Sequence, residues 1–225
     1  ALLDAKPHAY WRLNEFTGPL AADDAGQGRD AAYEPGITFY LDGPRPADFC
    51  SADERNRAPH FAGGRLRARL EGVRDRYSVS LWLWNGLPAA ARATSGWLFS
   101  RGPDHGLAPH GDHLGVGGTA GHAGKLVFFT GDDSATAVVV AGRTAIPRWT
   151  WQHVVLVREG GTVRIYLDGQ LEIETRTAAP RAPAADHFFF GGRSDGDSSW
   201  EGRLDEIAFF HRALTAADVA RLSPR

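Results

Sequence analysis

The sequence predicts an all-β, two-sheet antiparallel jelly-roll sandwich with a short C-terminal helix. Three observations predict it. Strand-sized segments rich in β-branched and aromatic residues recur along the whole chain, with turns at the ~8–12-residue spacing of a sandwich. The 27 glycines and 13 prolines punctuate these segments instead of gathering in one linker. Only the C-terminal end carries a helical period.

The strand-sized segments are, in order, Tyr10–Asn14, Ile37–Leu41, Tyr77–Asn85, Trp97–Arg101, Leu126–Thr130, Ala137–Val140, Trp151–Val157, Val163–Leu167, Glu172–Arg176, His187–Phe190 and Arg203–Phe210. Tyr77-Ser-Val-Ser-Leu-Trp-Leu-Trp84 alternates and then becomes apolar on both faces, as expected of a strand entering a covered position. Asp168-Gly169 follows the alternating run Thr162–Leu167 and marks a hairpin, because both central residues of a type I′ turn need positive φ. At the end, Thr215 is the N-cap candidate, Asp218 stands three residues later, and Leu214, Val219 and Leu222 share a face before Ser223-Pro224. Pro44–Arg57 and Gly86–Thr94 read as long loops. Gly102–Gly124 reads as a Gly- and His-rich loop with a short strand at His113–Val116.

Composition narrows the function classes. With 43% hydrophobic and 11% aromatic residues the chain has material for a core. Its 225 residues read as one domain, 1–225, excised from a longer protein, since the sequence begins at Ala1 and has no Met. A net charge of −2 offers no cationic excess for nucleic acid. No apolar run reaches the ~20 residues of a membrane-spanning helix, so no membrane insertion is expected. Cys50 is the only cysteine, which excludes an intrachain disulfide and a cysteine-rich zinc site.

The order of motifs resembles a known family. Tyr10-Trp-Arg-Leu-Asn-Glu15 precedes Asp23-Asp-Ala-Gly-Gln-Gly28. There follow Tyr77–Trp84, Leu98-Phe-Ser-Arg-Gly102, Trp151-Gln-His-Val-Val155, Val163-Arg-Ile-Tyr-Leu-Asp-Gly169, Phe190-Gly-Gly-Arg193 and Gly202-Arg-Leu-Asp-Glu-Ile-Ala-Phe-Phe-His-Arg-Ala-Leu214. From Tyr10 to Leu222 the chain is similar to the laminin G-like, concanavalin A-like lectin/glucanase superfamily. The resemblance implies a jelly roll, in most members a non-catalytic module of a larger bacterial surface or secreted protein. It therefore implies a carbohydrate or polysaccharide partner, contact with other domains of the parent protein, and an extracellular or cell-envelope location. It also implies a structural calcium ion (Ca2+) held by Asp23 in the turn shaped by Gly26 and Gly28 and by Asp205 in the last strand. Arg29 occupies the position after the second glycine, where its side chain cannot be a ligand, so Asp30 takes that role.

Chemistry supplies a competing reading for each site. Calcium wants six to eight oxygen ligands, which an Asp-rich turn can offer, yet Asp and Gly also favour turns without metal. Asp195-Gly-Asp197 is a second, weaker oxygen cluster. His105, His110, His113 and His122 read as members of a solvated loop rather than as a metal site. Trp84, Trp97, Trp149 and Trp200 lie at strand ends or in loops and are candidates for a sugar platform, with Arg193, Asp195, Asp197 and Arg101 supplying polar partners. Trp200, between Asp197-Ser-Ser and Glu201-Gly, is the leading candidate. Trp11, Trp82 and Trp151 read as core. A glycoside hydrolase is the catalytic rival, but no Glu-x-Asp-x-Glu string occurs, Glu172 and Glu174 read as solvated edge-strand acids, and Asp205 and Glu206 are expected on opposite faces. A structural or protein-contacting domain without a sugar site is the third reading.

Overall fold

The computed structural model describes residues 2–44, 55–109, 111–131, 138–178 and 186–223. Cys50, His110, Ala137 and Pro224, all invoked above, lie outside the described residues, as does most of Pro44–Arg57.

Among the described residues the strands are β1 (Ala9–Trp11), β2 (Leu20–Ala21), β3 (Ala31–Tyr33), β4 (Ile37–Asp42), β5 (Arg57–Ala62), β6 (Leu66–Arg69), β7 (Arg76–Asn85) and β8 (Thr94–Arg101). They continue as β9 (Asp112–Gly118), β10 (Gly121–Thr130), β11 (Val138–Ala145), β12 (Trp151–Glu159), β13 (Thr162–Leu167), β14 (Gln170–Arg176), β15 (His187–Phe190) and β16 (Glu201–Phe210). One helix, α1 (Ala216–Leu222), ends the fold. The first sheet runs β14-β13-β12-β7-β16-β5-β4, with β1 also on β16, and the second runs β11-β10-β9-β8-β15-β6-β3-β2. Every pairing between these strands is antiparallel. The predicted two-sheet jelly roll is the observed architecture.

The inner faces of both sheets form one core, in which Trp11, Leu81, Leu83, Phe99, Phe188, Phe190, Trp200, Leu204 and Phe209 are buried. Alternation then sends Ser78, Ser80, Trp82 and Trp84 of β7 to the outer face of the first sheet. A second cluster covers one end of that face: Leu2 and Tyr10 from the N-terminal segment, and Leu214 and Val219 from the C-terminal one, pack on Val155, Val157, Tyr166, Ala208 and Phe210. Thr215 and Asp218 form the expected capping box of α1. No described helix is long and apolar enough to cross a membrane.

Asp168 and Gly169 have φ of 46° and 79° and join β13 to β14 as the hairpin expected from their sequence. The Gly-rich segment departs from expectation. His113 lies in β9 and His122 in β10, so much of Gly102–Gly124 is a hairpin of the second sheet rather than a loop. Its glycines serve close packing: a Cβ on Gly115 would stand 2.6 Å from the Gly96 carbonyl and 2.8 Å from the Trp97 ring.

Candidate functional site

The half of the first sheet's outer face that α1 leaves uncovered carries a row of paired side chains. In register, Trp151 on β12 stands opposite Trp84 on β7, Trp84 opposite Arg203 on β16, Arg203 opposite His60 on β5, and His60 opposite Thr38 on β4. Directly opposed residues share a face, and their sequence neighbours Leu83, Leu204 and Phe61 point into the core, so this row points outward. All five residues are half-buried or exposed. The row crosses five adjacent strands, roughly 19 Å at the usual strand spacing.

Its groups combine stacking faces with hydrogen-bonding tips. The Arg203 guanidinium lies 4.6 Å from the Trp84 ring centroid, its Nη1 donates to the Asp42 carbonyl at 2.7 Å, and its buried Nε has no partner. Burial lowers the Arg203 pKa, with Asp42 opposing. His60 Nε2 is 3.3 Å from Glu201 Oε1, and the Glu201 side chain is 41% exposed. Beside the row, Trp149 is 62% exposed on a backbone of φ 62°, held by its N–H to the Asn85 carbonyl, with Arg148 stacked at 4.1 Å. A bulky residue at positive φ is strained, and strain concentrates at functional surfaces.

Of the residues singled out as ligand contacts, Trp84 sits in this row. Trp200 does not: it lies just before β16, its main-chain N–H bonded to the Gly191 carbonyl, and its side chain is fully buried in the core. Arg101 is also buried, stacked 4.8 Å from Tyr77 and 5.2 Å from Phe188, with Nη1 and Nη2 donating to the Arg74 and Val73 carbonyls at 2.6 and 2.5 Å. Both are corrected from ligand contacts to packing residues. Arg193, Asp195 and Asp197 form an internal clamp elsewhere, over the outer face of the second sheet. There the Arg193 guanidinium bonds both Asp195 oxygens at 2.9 Å, pairs with Asp197 at 3.2 Å, and covers Trp97 and Phe129. Burial raises the Asp195 pKa, but the bonds from Arg193 outweigh it and leave the net shift downward. Trp151, expected in the core, is half-exposed in the outward row. Sequence reasoning missed Arg203 and His60, whose signal was parity with Trp84 through the strand register.

It also missed the Gly-x-Ser-x-Gly spacing of Gly192-Arg-Ser-Asp-Gly196. Ser194 is buried in the connection from β15 to β16, and its Oγ donates to the Gly106 carbonyl at 2.7 Å. No helix follows to make a nucleophile elbow. His113, in β9 rather than in a solvated loop, is fully buried, bonded through Nδ1 to Ser100 Oγ at 2.7 Å, and burial pushes its pKa down to about 4.

The expected calcium ligands separate. Asp23 accepts four main-chain N–H groups, from Tyr10, Ala25, Gln27 and Arg29, at 2.9–3.1 Å, which fills the lone pairs of its carboxylate. Asp30 accepts the Asp23 N–H at 2.9 Å. This turn is closed by its own amides, and the saturated Asp23 carboxylate does not fit a metal. Asp205 does. It is fully buried on the outer side of β16, its Oδ2 accepting from Asn56 Nδ2 at 2.6 Å, while Asp205 Oδ1 and Asn56 Oδ1 are buried without a hydrogen-bond donor. A bulge in β16, with Glu206 at φ 50°, overturns the expected opposition of Asp205 and Glu206. Asp205 is registered with outward Trp82, and Glu206 takes the hydroxyl of Tyr10 in the outer cluster, with Arg12 Nε at 3.5 Å. Burial raises both pKa values, and the neighbouring Glu206 carboxylate raises Asp205 further. No cluster of three His, Cys, Asp or Glu side chains occurs among the described residues, so main-chain and amide oxygens would complete any such site.

Comparison with known proteins gives a family. Residues 63–220 match the model of the concanavalin A-like lectin/glucanases superfamily. No curated protein matches the chain. Among solved structures, domain 4 of AbnA, a GH43 extracellular arabinanase from Geobacillus stearothermophilus in complex with arabinotriose, is similar over 97% of this chain and 98% of its own, at 22% identity and TM-score 0.68. A botulinum neurotoxin type C structure, whose cell entry is described as dependent on two ganglioside molecules, is 13% identical over 98% of this chain and 51% of its own (TM-score 0.63). Trypanosoma rangeli sialidase is 14% identical over 97% of this chain and 32% of its own (TM-score 0.65). At these identities the structural likeness is one of fold.

Proposed function

We propose that this chain, which belongs to the concanavalin A-like lectin/glucanases superfamily, is a non-catalytic recognition module that binds carbohydrate on the open half of its first sheet. The observation that carries the reading is the Trp151–Trp84–Arg203–His60–Thr38 row with Trp149 beside it. Sugar rings offer an apolar face for the indoles and a rim of hydroxyls for Arg203, His60 and Glu201. A row that crosses the strands suits several consecutive sugar residues of a polysaccharide. The arabinotriose complex of a domain with this fold supports a saccharide ligand, and that protein's extracellular description supports an extracellular or envelope location.

Calcium has a structural role in this reading, held by Asp205 with Asn56. A bound cation supplies the positive charge and electrophilic partner that their bare oxygens lack. Asp205 and Glu206 are buried beneath other side chains instead of lining a cleft, which favours recognition over hydrolysis.

A glycan array with released reducing sugar assayed in the same wells tests the proposal. Retention without release is expected. Trp84→Ala and Trp149→Ala should each weaken binding about tenfold, a loss of ~1.4 kcal/mol. Trp200→Ala should lower stability instead of acting as a contact mutation. Sugar release would make the chain a hydrolase. Silence across the array would favour a protein-contacting domain, for which the exposed stacked pair Phe16 and Tyr40, 3.9 Å between centroids, is the available surface.

A further inference from the structure

A different pocket lies at the covered end of the same sheet, among the N-terminal segment, the turn at Gln27–Arg29 and the end of β16. It is a cavity of about 260 Å³ lined by Lys6, Pro7, His8, Gln27, Arg29, His211 and Arg212. Three of these are permanent cations, two are imidazoles, and none is an acid. In a chain of net charge −2 this is a local concentration of one sign.

Hydrogen bonds hold two of the cations, Arg29 and Arg212, in place. The His8 and His211 rings meet edge-on at 5.1 Å. Arg29 Nη1 donates to the His8 carbonyl at 3.0 Å, and Arg212 Nη2 to the Ala5 carbonyl at 3.4 Å. Of the nearby acids, Asp23 is engaged by four main-chain amides, Asp218 pairs with Arg221 and takes up part of the charge of Arg212, and Asp4 lines the adjoining cavity with Lys6 and Arg212, which leaves Arg29 and Lys6 as the leading cations of the pocket.

We infer that this pocket binds a tetrahedral oxyanion, a phosphate or sulfate group carried as a monoester. Charge-assisted hydrogen bonds from several guanidinium and imidazole groups are the usual recognition of such groups. The cavity leaves room beyond the anion for the group that bears it. Burial, then the charges of Arg29 and His211, lower the His8 pKa, and Asp23 opposes. Lys6 and Arg212 add positive charge from the other walls. An anion relieves this repulsion on His8, so a sulfate group, whose charge is constant in this range, binds with proton uptake and more tightly as pH falls, whereas a phosphate monoester loses charge at about pH 6 and offsets the gain. The inference stands apart from the aromatic row, from which the pocket is separated along the strands.

The test is calorimetric titration of the whole chain with inorganic phosphate, inorganic sulfate, glycerol phosphate and a 6-sulfated hexosamine, at pH 6 and pH 8 and constant ionic strength. Affinity for the sulfate-bearing ligands should rise at least threefold from pH 8 to pH 6. The ester arms bind more tightly than the inorganic ions if the ligand is an ester, and more weakly if the free ion is the natural occupant. Arg29→Gln should lower affinity at least tenfold, and exposed Lys6→Gln severalfold, with glycan-array behaviour unchanged in both and thermal midpoint unchanged in Lys6→Gln. His8→Gln should flatten the pH dependence. No heat at millimolar anion, equal displacement by chloride, or binding indifferent to both Arg29→Gln and Lys6→Gln overturns the inference.

Discussion

Asp112 of β9 and Arg158 of β12, both fully buried, join the two sheets through the interior, with Arg158 Nε 2.9 Å from Asp112 Oδ2 and Nη2 on Oδ1. Tyr77 from the first sheet donates to the same Asp112 Oδ2 at 2.5 Å. Removing one partner of a buried pair strands the other charge, so Asp112→Ala should destabilise by ~3–5 kcal/mol in urea denaturation. The double change Asp112→Leu with Arg158→Met should recover most of that loss. If Asp112→Ala costs less than 1 kcal/mol by the same measurement (~1 is the median for any point change), the pair is not isolated from water.

Buried imidazoles make stability fall in acid. Burial pushes His153 down to about 3 and His113 down to about 4. Between the ordinary histidine value and those limits the unfolded chain binds protons that the native chain refuses. Each imidazole therefore removes about 1.4 kcal/mol per pH unit below ~6.5. His153 also holds Ser80 Oγ at 2.8 Å and Ser223 Oγ at 3.2 Å, so a substitution there costs bonds as well. Chemical denaturation from pH 7 to pH 4 should show a shallower slope for His113→Gln than for the parent. An equal slope would mean that His113 is hydrated.

Calcium should stabilise the chain through Asp205. At a concentration a hundredfold above its dissociation constant a native-state ligand contributes about 2.7 kcal/mol, visible as a higher thermal midpoint. Asp205→Asn should abolish this response, and Asp23→Asn should weaken the turn without abolishing it. Because burial and Glu206 favour the protonated form of Asp205, protons compete with the ion and the calcium response should shrink as pH falls. A response in Asp205→Asn equal to the parent's would place the ion elsewhere.

Strands with uninterrupted β-branched and aromatic character were legible in the sequence, and so were the hairpin at Asp168-Gly169 and the cap at Thr215. The short β2 and β3 and β5 with its internal Pro59 were not, and of β9, with its three glycines, only His113–Val116 was, since their propensities favour turns and only cross-strand packing overrides them. The site was less legible. Trp84 could be picked out at a strand end, but Trp200 could not be told from it, because one residue of register decides whether an indole faces core or solvent. The β16 bulge likewise reverses the side of one acid without any signal in its neighbours.

Leu2 and Leu214 lie in one cluster, and Arg212 reaches back to the Ala5 carbonyl, so the two described ends of the chain leave the sandwich at one corner. Tension applied between these two ends would load that corner first, peeling the three-residue β1 and α1 before any strand that bears the tryptophan row. Trp84 is six residues along β7 from Ser78, about 20 Å from the loaded corner. A ligand held there would ride on the mechanically quiet end of the molecule.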